Sequence, residues 1–158
     1  MDLEKITPLI QKAFQDALEE KRYPFGFSKY TGMSNKVASG SLKNSIEVKT
    51  KGNTEIDISM NDYGQWVQSG RAAGKKGVPI SAIISWIKAR GLKGRNKKGR
   101  YIKDTSFAFA IQTNIKKFGI KRSDWYDVAI DNLLENKQIE ELLGDATYED
   151  LINALEGI

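Results

Sequence analysis

Fifteen Lys or Arg and a single acid, Asp104, lie between Arg71 and Arg122, a local charge of +14. Positive charge at that density must face a polyanion or stand in water at a cost in self-repulsion. Nucleic acid and an acidic protein surface are the two candidate partners. The cations that could contact either are Arg71, Lys75, Lys76, Lys93, Arg95, Lys97, Lys98 and Arg100, in two Gly-rich stretches, 71–77 and 92–103. Only Tyr101 interleaves them with an aromatic ring, so base stacking has little support.

Residues able to do bond-breaking chemistry are scarce. The chain has no Cys and no His, which removes disulfides, thiol nucleophiles, imidazole bases and the usual zinc ligand sets. Glu47-Val48-Lys49 has the Glu-x-Lys spacing that metal-dependent nucleases place on a strand, the carboxylate on Mg²⁺ and the Lys on the scissile phosphate. Such a site needs a second acid on a nearby strand. The only aspartates upstream are Asp2 and Asp16, beside or on the first helix, and Asp57 lies across the expected hairpin. The triplet is common and reads as exposed strand charge. Gly74-Lys75-Lys76-Gly77 lacks the full glycine pattern and the following Ser or Thr of a phosphate loop. No enzyme, cofactor, metal or small-molecule substrate is expected.

The elements that position these residues follow from periodicity. Leu3, Ile6, Ile10, Ala13, Phe14 and Ala17 form one stripe of a helix over 3–20, unless Thr7 caps a helix starting at Pro8 and leaves 3–6 as a separate turn. Residues 23–40 read as a loop anchored by Tyr23, Phe25, Phe27 and Tyr30. Ile46 to Met60 alternates with period two around Lys51-Gly52-Asn53, an antiparallel hairpin covered on one side. Tyr63, Trp66 and Val67 belong to a short element ending at Gly70. A helix is expected after Pro79, capped by Ser81, with Ile80, Ile83, Ile84 and Ile87 as its main stripe and Trp86 to one side. Residues 92–103 form a basic loop, expected to be mobile when free. Asp104 or Thr105 caps the next helix, whose stripe is Phe107, Ile111, Ile115 and Phe118; Gly119 stops it and Ile120 folds back on Ile115. Phe109 points away from that stripe, which with Trp86 suggests a subunit contact. Ser123 caps a helix containing Trp125, Val128 and Ala129, with a break near Asn136, and Thr147 caps a last short one.

With 158 residues the expected organisation is an α+β domain over 1–132 and an acidic helical extension over 133–158. The extension carries −6 and the remainder +11, so two copies could complement one another. The start of the chain does not read as a signal peptide, and no apolar run is long enough to span a bilayer.

Several phrases, taken in order, resemble the small neck proteins of tailed bacteriophages, the tail-completion or head–tail joining proteins related to siphophage tail terminators. Ser39-Gly40-Ser41-Leu42-Lys43-Asn44-Ser45-Ile46 is similar to the family's Gly-x-Leu-x-x-Ser-Ile lead into the hairpin. Tyr63-Gly64-Gln65-Trp66-Val67-Gln68-Ser69-Gly70 resembles its Tyr-Ala-x-x-Val-Glu-x-Gly phrase, with Gly64 for Ala and Gln68 for Glu. The Pro-led stretch Pro79–Gly91, Phe107 to Ile120, and Trp125 to Ile130 resemble the segments that close the family's domain. The likeness covers 1–132. It implies an antiparallel sheet with a β-hairpin flanked by helices, assembled as a homo-oligomeric ring, sixfold as the family suggests or twelvefold to match a portal. It further implies a non-enzymatic virion protein, assembled in the bacterial host cytoplasm, that joins head to tail and touches portal, neck or tail proteins, with DNA passing through its lumen. Tyr63, Trp66, Trp86 and Phe109 are the candidate subunit or partner contacts. The alternative function is a nucleic-acid-binding module using loops 71–77 and 92–103.

Overall fold

The computed structural model describes residues 3–25, 32–52, 55–144 and Leu151. Among them are seven helices and two separate two-stranded antiparallel sheets, an α+β fold.

Helix α1 (Leu3–Glu19) is the hub of the main core. Its apolar residues recur at helical spacing, and Leu3, Ile6, Ile10, Ala13, Phe14, Ala17 and Leu18 are all buried. Pro8 lies inside the helix rather than at its start, so 3–6 is not a separate turn. Proline has no N–H for the carbonyl of Glu4 four residues back. The Thr7 hydroxyl donates to that carbonyl instead, at 3.2 Å, which helps explain why the helix runs through.

Strands β1 (Tyr23–Phe25) and β2 (Gly32–Ser34) pair with Tyr23 opposite Ser34. This hairpin occupies part of the stretch expected to be loop; runs of three residues are too short for alternation to show. Tyr23 is buried as expected, its hydroxyl donating to the Ala17 carbonyl. Phe27 and Tyr30 lie outside the described residues.

Helix α2 (Ser41–Ser45), entered through Gly40 at φ 82°, buries Leu42. It leads into β3 (Glu47–Lys51), which pairs with β4 (Glu55–Ser59) in the register Glu47↔Ser59, Val48↔Ile58, Lys49↔Asp57. Val48, Ile56 and Ile58 turn to the core and the charged residues face out, so the expected one-sided hairpin is present. Helix α3 (Gly64–Ser69) follows. Gly64 is buried, and a Cβ there would stand 2.9 Å from Met60 Sδ and 3.2 Å from Leu42 Cδ1. That crowding accounts for a glycine at this position.

Helix α6 (Trp125–Leu134) lies along α1, burying Trp125, Val128, Ala129 and Leu133. The Trp125 ring meets Phe14 edge-on, with centroids 5.9 Å apart, and its indole N–H donates to the Gly64 carbonyl at 3.2 Å. The expected break falls at Asn136, whose side chain accepts from the Gln138 N–H and caps α7 (Lys137–Leu143). Ile139 of α7 and Leu151 pack on the main core, so these described residues of the acidic extension dock on their own chain. Thr147 and the remainder of the last expected helix lie outside the described residues.

Helices α4 (Ile80–Ala89) and α5 (Asp104–Phe118) form a second, separate core from Ile83, Ile87, Ala108 and Ile115. Val78, Ile80, Ile84, Trp86, Leu92, Phe107 and Ile111 surround it. Three capping expectations are corrected here. Pro79 and Lys103 precede the two helices and neither end has a side-chain cap, so Ser81, Asp104 and Thr105 do not serve. Ser123 does not cap α6; its hydroxyl donates to the Val67 carbonyl at 2.6 Å, and Asp124, at φ 54°, precedes the helix. Phe118 is also not a buried residue. It is 44% exposed, because the stripe of α5 is shared only with α4 and ends at Ile115. Ile120, equally exposed, is held through its backbone by Arg71.

Candidate functional site

The charged segment and the second core coincide. The antiparallel bridge between Arg71 and Ile120 closes a loop that contains α4, α5 and both basic stretches. The chain just before and just after the loop is joined by Ser123 to Val67 and by the Tyr126 N–H to Gln68 Oε1 at 2.9 Å, and the loop itself reaches the main body through Arg90 to Asn35. Arg90 donates to Asn35 Oδ1 and to the Asn35 carbonyl, each at 2.9 Å. Burial lowers the Arg90 pKa, and burial and the Arg90 charge lower that of Lys36 nearby.

Both basic stretches are strapped to α5. Gly94 lies against Phe107, where a Cβ would collide with the ring. Gly77 lies against Gln112, whose amide donates to the Val78 carbonyl at 2.7 Å, and the Gly74 N–H bonds the Lys116 carbonyl at 2.8 Å. Phe107 and Lys116 are about 14 Å apart along a helix axis, so the two stretches hold to opposite ends of α5.

Residues 92–103 are not a free coil. Gly94 to Ile102 is a small hairpin, bridged at Arg95 and Tyr101 and closed by the Ile102 N–H on the Gly94 carbonyl at 3.0 Å. Asn96 builds its turn: its side-chain oxygen accepts from the N–H groups of Lys98 and Arg100, both at 3.0 Å. The Arg95 guanidinium lies 4.0 Å from the Tyr101 ring centre and donates to the Tyr101 hydroxyl at 2.5 Å and the Gly99 carbonyl at 2.9 Å.

The eight cations singled out from the sequence therefore divide. Arg95 braces the hairpin. Arg71 donates to the Lys76 carbonyl, and Lys93 pairs with Asp104 at 3.6 Å. The side chains of Lys75, Lys76, Lys97, Lys98 and Arg100 are exposed and make no ion pair among the described residues. Asn96 was not singled out; an Asn three residues before Gly99 between two basic runs was the available signal.

The four aromatics separate as well. Trp66 is 64% exposed, Phe109 57% and Tyr63 41%, while Trp86 is half-buried on the α4–α5 core.

The Glu-x-Lys pair stands on the open face of the β3–β4 hairpin. Lys49 Nζ lies 2.6 Å from Glu47 Oε2, with Asp57 opposite Lys49. The Lys49 hydrogen bond and charge hold the Glu47 carboxyl below its ordinary range. The carboxylate is committed to a lysine, and the described residues contain no group of three or more acids placed to hold a metal ion. A cleft of about 330 Å³ between α1 and α6 is lined by Lys12, Asp16, Glu20, Asn132 and Glu135. Its polar groups bond one another, Lys12 to Asp16 at 3.2 Å and Asn132 to Glu20 at 2.9 Å.

The described chain is thus an α+β protein with a small helical module that carries its charge. None of its described helices is long and apolar enough to cross a membrane. No known family model, curated protein or solved structure matches the chain.

Proposed function

We propose that this chain is a structural virion protein of a tailed bacteriophage, assembling as a ring in the neck that joins the head to the tail. The observation that carries this reading is the exposure of three large aromatics, Trp66, Phe109 and Tyr63, none of which belongs to either core. Large aromatics in the open are a common mark of protein–protein contact. The resemblance of 1–132 to tail-completion proteins supplies the type of assembly, a heterologous contact that closes on itself. Trp66 on α3, Tyr63 just before it and Phe109 on α5 are the surfaces offered to a neighbouring copy or a portal or tail protein.

Native mass spectrometry of the purified chain tests this. A discrete sixfold or twelvefold species is expected, shifting toward monomer when Trp66 and Phe109 are both replaced by Ser. A chain that stays monomeric and joins no portal or tail complex would refute it.

A further inference from the structure

We infer that the Gly94–Ile102 hairpin is a preformed arm for the phosphate backbone of duplex DNA, with Lys97, Lys98 and Arg100 as contacts and Arg95, Asn96 and Tyr101 as the brace that presents them. This goes beyond ring formation and does not depend on it. Three observations lead there. The contact cations are exposed and without ion pairs among the described residues, on a segment held by seven hydrogen bonds rather than on a loose loop. Holding the turn in advance lowers the ordering cost of binding.

The groups that could read adenine or stack on bases are largely spent. Asn96, the hairpin's only side-chain amide, is used on the turn, and Arg95 takes one face of the only ring, Tyr101. Phosphate contacts made by Lys97, Lys98 and Arg100 then fix the arm on the backbone and carry no sequence information.

An acidic protein is the less suitable occupant. Protein interfaces are anchored by buried aromatic and apolar residues and are depleted in Lys. This arm offers two lysines, one arginine and a ring already engaged by Arg95. Lys75 and Lys76, strapped toward the other end of α5, extend the positive surface along the module.

The test is fluorescence anisotropy of two labelled duplexes of unrelated sequence, titrated with the full chain over a range of salt. Equal affinities for both duplexes and a steep salt dependence are expected. Replacing Lys97, Lys98 and Arg100 together by Gln should reduce the slope of log K against log salt by about 2.7, or about 0.9 per lost phosphate contact. Asn96→Ala keeps every charge and loosens the turn; it should weaken binding by about three- to tenfold, through the lost preorganisation, with the slope nearly unchanged. Both sets of residues are exposed, and an unchanged melting curve confirms that the variants fold. The proposal is overturned if the parent chain does not bind duplex, if the triple variant binds with the parent's slope, or if one sequence is strongly preferred. It is also overturned if the arm binds a polyglutamate peptide and not DNA, which would assign it to an acidic protein. None of these outcomes bears on whether the chain forms a ring.

Discussion

Arg71 and Ile120 exchange both of their backbone hydrogen bonds, at 2.8 and 2.7 Å, and each is preceded by a glycine that faces the other strand. Gly70 has φ 71°, ψ −154° and Gly119 has φ 74°, ψ −165°, a region open essentially to glycine alone. A Cβ on Gly70 would collide with the Ile120 carbonyl, and one on Gly119 with the Arg71 carbonyl. This crossing is where the basic module leaves and rejoins the main core.

Gly70→Ala and Gly119→Ala should therefore each destabilise the protein by about 3 kcal/mol, combining a disfavoured backbone with a steric collision. Urea unfolding followed by circular dichroism measures this. Gly99→Ala, also at positive φ but with open space around it, should cost about 1 kcal/mol.

Trp125 joins α6 to α1 and α3 at once. Trp125→Phe keeps most of the apolar contact with Phe14 but leaves the buried Gly64 carbonyl without its donor, an expected loss of about 1–3 kcal/mol. Trp125→Ala should cost about 3–5 kcal/mol. A Phe variant as unstable as the Ala variant would show that the hydrogen bond, not the packing, dominates.

Burial, with the Glu20 charge adding to it, pushes the Tyr23 hydroxyl up to about 12 from its ordinary 10. The group stays protonated in the folded chain at pH values where the unfolded chain ionises. Its contribution is fully present below pH 10 and is lost as pH rises from 10 to 12. Thermal melts across that window should show a falling Tm, and Tyr23→Phe should flatten the fall while lowering Tm at neutral pH by removing the bond to Ala17.

Arg90 ties α4 to the segment after β2 by gripping Asn35 through two nitrogens. Arg90→Lys keeps the charge but cannot reproduce the two-point grip, and should cost about 1–2 kcal/mol. Hydrogen exchange should then rise in α4 and α5 before it rises in α1 and α6, since the two helical pairs bury separate cores.

Glu47 and Lys49 are exposed, and their pairing adds little to stability in water. Replacing them by Gln and Met should leave Tm unchanged. Should the parent chain cleave DNA with Mg²⁺ and that variant not, the metal-site reading of Glu-x-Lys would be restored.

Local periodicity made much of this fold legible. The α1 stripe, the β3–β4 alternation, the stop at Gly119 and the break at Asn136 each depend on residues within a few positions of one another, and each stands where the sequence places it. The capping residues failed for a related reason. Ser123 has the right type for a cap, but a hydroxyl goes to whichever acceptor the packed chain offers, and the Val67 carbonyl, 56 positions away, took it. The hairpin 94–102 also escaped, because a run of cations separated by glycines has the composition of a free loop; only the turn built by Asn96 and the stacking of Arg95 on Tyr101 order it.

The sequence by itself determined where the charge lies, that His and Cys chemistry is absent, and where α1, α4, α5, α6 and the β3–β4 hairpin form, since these depend on composition and on short-range spacing. Tertiary structure alone decided that α4 and α5 make a core of their own, that a two-residue bridge bounds the basic segment, and which cations remain unpaired. Those outcomes depend on contacts between residues far apart in the chain, and no periodicity in the sequence records them.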